Sequence, residues 1–146
     1  MYYDARINTG WNGLFDPLAQ TPLKPYYAIW DFGRLYQLKN EVACTSDCGD
    51  VYTAAAVSDD GSEAAILLTY YKDHESIDGT RCEEETKRVL IDWSGFASEN
   101  GVTAEYRILD TADETGVRVE EVFFGNRGAH IFSLPLYTTI LVTLKK

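Results

Sequence analysis

Acidic side chains are the most numerous groups in this sequence that could do chemistry, with 23 aspartates and glutamates against 13 lysines and arginines. Carboxylates catalyse in pairs. Cleaving a glycosidic bond, for example, takes one as acid and a second across the bond as base or nucleophile. Here they gather in turn-like stretches (Asp59, Asp60, Asp113, Glu114) and in the charged run Glu83-Glu84-Glu85 beside Lys87 and Arg88. None of these is framed by Trp, Asn or Gly at the end of a strand. Asp4 is the exception, since it follows Tyr2-Tyr3 and lies near Trp11 and Asn12. It can accept a hydrogen bond from a ligand hydroxyl, but one carboxylate cannot supply both acid and base.

Nucleophilic and metal chemistry fare no better. Ser94, in Trp93-Ser94-Gly95, lacks the glycine-flanked elbow that exposes a catalytic serine. Cys82 could meet a histidine only through tertiary structure. Cys44 and Cys48 flank Thr45-Ser46-Asp47 in a polar turn, and the odd total of 3 cysteines argues against a disulfide framework. They read as plain thiols, with a local bridge as the alternative in an exported protein. His74 and His130 stand far from each other and from metal-motif spacing to the cysteines, so no metal site and no cofactor are expected. Gly10, Gly13, Gly125 and Gly128 are scattered and do not form a phosphate-cradling loop.

Charge narrows the partners. A formal net charge of -10 repels phosphate backbones and anionic lipid, so nucleic acid and membrane surfaces are not expected partners. The apolar run Ala64–Leu68 is far too short to cross a bilayer. Met1-Tyr2-Tyr3-Asp4 has neither the basic start nor the apolar stretch of a secretory signal, which leaves the compartment open.

The elements that must position these residues change character once along the chain. Pro22 and Pro25 suit a helix start, and Tyr27, Trp30, Leu35 and Leu38 then recur at helical spacing, widened by Phe32 and Tyr36. So aromatic a stripe is expected in a core, and Lys39 is expected in the last turn, where a cation suits the helix dipole. From Val51 the period becomes two. Strands are predicted at 51–57, 63–71, 86–92, 103–110, 117–122, 129–134 and 138–144, with Asp60-Gly61 turning the first hairpin. The predicted fold is mainly β: an antiparallel sandwich of about seven or eight strands with one N-terminal helix.

The N-terminal segment carries a resemblance. Tyr3-Asp4-Ala5, Asn12-Gly13-Leu14-Phe15-Asp16 and Pro25-Tyr26-Tyr27-Ala28 through Tyr36 resemble the end of the (β/α)8 barrel of clan A glycoside hydrolases, broadly those like family 39. The resemblance implies that residues 1–40 are a terminal barrel strand, loop and helix, and that residues 41–146 are an appended β-sandwich. It places the family's catalytic glutamates on earlier barrel strands, so no position here inherits a catalytic role. Asp4, Trp11 and Asn12 match the part that lines the sugar site, where Trp11 would stack on a pyranose face.

Three functions follow as expectations. The first is a non-catalytic accessory sandwich that supports a (β/α)8 barrel, its partner in the parent enzyme. The second is a carbohydrate-binding module for polysaccharide, suggested by tyrosines such as Tyr70, Tyr71 and Tyr137 and recognisable by a flat row of exposed rings. The third is a small independent protein that self-associates through Tyr2, Tyr3, Leu14, Phe15 and the Trp30 helix.

Overall fold

The computed structural model describes residues 14–16, 18–72, 85–96, 98–110, 118–125 and 128–146. Asp4, Trp11 and Asn12 lie outside these residues, as do Asp113, Glu114, His74 and Cys82. Within them the chain is mainly β, as the sequence predicts, with one helix and two antiparallel sheets.

Helix α1 (Lys24–Leu38) starts on Pro25, whose missing N–H costs nothing in the first turn. It stops at Lys39, where φ reaches 76° and the amide N–H donates to the Tyr36 carbonyl at 3.2 Å. Lys39 therefore stands beyond the last turn rather than in it, and its ammonium bonds Asp59 at 2.9 Å.

After the helix come β1 (Asn40–Val42), β2 (Val51–Val57), β3 (Glu63–Tyr70) and β4 (Thr86–Asp92). Then follow β5 (Thr103–Leu109), β6 (Arg118–Phe123), β7 (Ala129–Pro135) and β8 (Thr138–Lys145). Six of them form one sheet in the order β1-β2-β3-β8-β5-β6, and β4 pairs with β7 in a second. The chain thus crosses between layers on entering and leaving both β4 and β7. Gly61, at φ 68°, makes the predicted turn between β2 and β3, and Asp60 accepts three hydrogen bonds there from Ser58 and Ser62. The corner from β7 to β8 is a change of sheet. Tyr137 adopts φ 62° in it, and its amide donates to the Tyr70 carbonyl at 2.9 Å.

Period-two alternation gives the large sheet two buried faces. Ile66, Leu68, Ala104, Tyr106, Ile140, Val142 and Leu144 point into the sandwich and meet Ile91, Trp93 and Leu134. Ala65 and Leu141 point the other way and meet Leu35 and Leu38 of α1. Each fully buried leucine contributes about 1.5–3 kcal/mol of transfer free energy.

A charged pair lies in this helix–sheet interface. Asp31 is fully buried and accepts from Arg107 Nε of β5 at 2.9 Å, while its Oδ2 has no hydrogen-bond partner among the described residues. The Arg107 guanidinium lies 4.1 Å from the centre of the Trp30 ring, which covers it from solvent. Burial pushes the Asp31 carboxyl above its usual range, against the hydrogen bond and charge of Arg107, which hold it down. A second charged contact joins the sheets near the end of β3, where Lys72 bonds Glu85 just ahead of β4. That bond holds the Glu85 carboxyl down to about 2.

Two outcomes follow for stability. Arg107→Ala should cost about 3–5 kcal/mol in urea unfolding at neutral pH, because it strands a buried carboxylate. The penalty should shrink on acidification, since a carboxyl with a raised folded pKa gains stability as it takes up a proton; a pH-independent penalty would refute the ion pair. Glu85 has the opposite sign. Its contribution is complete above its ordinary value of 4.5 and is lost as the pH falls toward about 2. Glu85→Gln should therefore flatten the acid limb of the stability curve in that window.

Candidate functional site

Two surfaces of the sandwich carry enough shape and chemistry to act on something else. The first is the outer face of α1. The helix buries Asp31, Leu35 and Leu38, and Phe32 and Tyr36 stand on its flank above β1 and β2, 61% and 83% exposed. The expectation that they widen a core stripe is thereby corrected: among the described residues they are surface. Ile29 is exposed beside them. A groove of about 600 Å³ separates the helix from β1 and β2, with Phe32, Tyr36 and Ala54 among its walls. Contiguous apolar surface of this kind is suited to packing against a ligand or another macromolecular surface.

The second surface is a cleft of about 330 Å³ between β6 and β7, where the two-stranded layer stops short of the edge of the large sheet. Its floor is aromatic. Tyr106 of β5 is buried and stands edge-on to Phe132 of β7 at 6.0 Å between ring centres. The Tyr106 hydroxyl and His130 Nδ1 are 2.6 Å apart. Burial pushes the Tyr106 hydroxyl up to about 12, so it stays protonated. A phenol can donate or accept, so the His130 tautomer sets which way this bond runs. The rim is charged. Arg118 of β6 holds Glu120 at 3.2 Å and Asp110 at 3.5 Å.

Other residues singled out by the sequence do not gather. Asp59 and Asp60 serve the β2–β3 turn. Ser94 opens a short 3-10 turn, its amide donating to Asp92 at 2.9 Å, and is packed so closely that a Cβ on Gly128 would fall 2.6 Å from its Cα. Cys44 and Cys48 are free thiols at the edge of the core. No group of His, Cys, Asp and Glu among the described residues is placed to hold a metal ion. Tyr71 and Tyr137 are both exposed, but their rings meet edge-on at 62° and give no flat platform. Sequence reading missed the Tyr106–His130 pair, for which the inward phase of Tyr106 on its strand was the one available signal.

Comparison by fold points in one direction. The chain is similar to a family 30 endoxylanase from Clostridium papyrosolvens C71, with a TM-score of 0.62 at 16% identity over 95% of this chain. It is similar to a glucosidase from Croceicoccus marinus, with a TM-score of 0.63 at 12% identity over 95% of this chain. The family 30 subfamily 8 xylanase Xyn30A from Clostridium acetobutylicum gives a TM-score of 0.56 at 15% identity over 96% of this chain. All three are glycoside hydrolases. The chain spans only about a third of each: 32%, 34% and 32% of their lengths. By sequence, neither a protein-family model nor a curated protein matches it.

The cleft's internal hydrogen bond is open to test. Tyr106→Phe should lower stability by about 0.5–1.5 kcal/mol at unchanged urea m-value. It should also redistribute the His130 proton between its nitrogens, read from the imidazole nitrogen shifts. Unaltered shifts would show that the hydroxyl does not set the tautomer.

Proposed function

We propose that this chain is an accessory β-sandwich of a glycoside hydrolase, doing no chemistry itself and supporting a (β/α)8 catalytic barrel through helix α1. The observation that carries the reading is the two-sided helix. One side is locked to the sandwich by Leu35, Leu38 and the Asp31–Arg107 pair. The other offers Ile29, Phe32 and Tyr36 to something outside the described residues. A helix that belongs to two layers at once is what a barrel's terminal helix shared with a sandwich requires.

The fold likeness supports the same reading. Enzymes about three times this chain's length share its fold over nearly all of it, which leaves most of each enzyme for other work. The parent is read at the level of clan A glycoside hydrolases, broadly those like families 30 and 39. On that reading Asp4, Trp11 and Asn12 line the sugar side of the barrel's last loop and act only with the barrel present.

The isolated chain should not hydrolyse aryl β-xylosides or β-glucosides; turnover lost on Asp4→Ala would overturn the proposal. The double substitution Phe32→Glu/Tyr36→Glu should change the isolated chain's stability by only about 0.5 kcal/mol, as surface changes do. In the protein carrying the barrel, it should cost several-fold more in thermal denaturation. An equal effect in both would remove α1 as the docking element.

A further inference from the structure

The β6–β7 cleft lies between the two sheets, touched by α1 only where Lys24 bonds the Asp110 carbonyl, and the barrel-supporting role makes no use of it. We propose that it binds a neutral sugar, a mono- or disaccharide unit whose apolar ring face lies against Phe132 and whose hydroxyls meet Arg118, Glu120 and Asp110.

Size sets the first limit. At about 330 Å³ the cleft stands at the lower end of the roughly 300–1,000 Å³ range of small-ligand sites. Chemistry sets the second. An aromatic floor with a few convergent polar groups is the usual composition of such a site. A pyranose needs both, because its C–H face is apolar while its rim of hydroxyls donates and accepts. Glu120 and Asp110 supply acceptors, and Arg118 supplies donors held in a fixed fork.

Charge decides between ligand classes. Among the described residues the Glu120 and Asp110 carboxylates face the Arg118 guanidinium, with the Lys24 ammonium on the Asp110 carbonyl, and the chain's net charge of -10 disfavours a phosphate or a sugar acid. It does not disfavour a neutral polyol.

A separate observation points to a ligand. Thr138 of β8 is fully buried and lines the inner end of the cleft, yet its hydroxyl has no hydrogen-bond partner among the described residues. Buried hydroxyls are nearly always satisfied, and a small shift of the cleft wall on binding would let a sugar hydroxyl supply the missing bond.

Titration of the 15N-labelled chain with xylobiose or cellobiose tests this, with glucuronate as the anionic probe. One or both neutral sugars should give saturable shifts centred on Tyr106, Arg118–Val122 and His130–Ser133, and should raise the melting temperature. Glu120→Ala and Arg118→Ala change exposed rim residues, and each should weaken binding about tenfold, or about 1.4 kcal/mol. Phe32→Glu, on the far side of the sheet, should leave binding unchanged. The proposal is overturned if neither neutral sugar gives saturable shifts, or if the shifts map to α1 or to Tyr71 and Tyr137. It is equally overturned if glucuronate binds more tightly than the neutral sugars, or if both rim variants bind as the parent does.

Discussion

Burial of both faces of the six-stranded sheet is the constraint on which the rest of this structure depends. Strands β3 and β8 lie at its centre, with α1 over one face and β4–β7 over the other. Neither strand can be spared a cover, because Ala65 and Leu141 on one side and Ile66, Leu68, Val142 and Leu144 on the other are all buried. The helix is therefore part of the sandwich's core. Its removal would expose the Leu141 row to water, at roughly 25 cal/mol per Å² of apolar surface.

The Asp31–Arg107 pair has a different standing. Two charges taken from water into a helix–sheet interface repay their desolvation poorly, and a leucine-like pair would hold the layers at least as well. Only Oδ1 of Asp31 meets Arg107, so the carboxylate is incompletely satisfied by the described residues. What such a pair does well is to fix position. Leucine on leucine tolerates sliding and rotation, whereas a 2.9 Å bond from Arg107 to Asp31, capped by the Trp30 ring, admits one rotation of α1 on the sheet. That rotation is what turns Phe32 and Tyr36 outward.

Local chemistry was legible in the sequence, and partnership between distant elements was not. The Asp60-Gly61 hairpin, the Pro25 helix start and most strands follow from periods and turn residues that act within a few positions. Strand β1 escaped because its three residues are all exposed and carry no alternation. Assigning each strand to a sheet escaped because β4 and β7 read like any other strands. Phe32 and Tyr36 misled for a physical reason: an apolar residue at helical spacing looks the same whether its cover lies in this chain or elsewhere. Asp31 was the overlooked sign. It sits four residues before Leu35, on the stripe the helix buries, and a charge there implies a buried partner. Asp4, Trp11 and Asn12, which the family resemblance placed near sugar, belong to a segment outside the described residues.

Strand β5 shows how one element can serve two surfaces without conflict. Tyr106 and Arg107 are neighbours in sequence, and a strand's period of two sends them to opposite faces of the sheet. Tyr106 goes to the cleft, where it orients His130; Arg107 goes to the helix, where it fixes Asp31. Apart from the Lys24–Asp110 bond, the sheet itself separates the two surfaces. Docking on α1 therefore leaves the cleft open, and occupancy of the cleft leaves the helix face bare. A sandwich with β4 and β7 spread over the whole sheet would have no such cleft. The narrowness of the second layer, only two strands against six, is what leaves room for one.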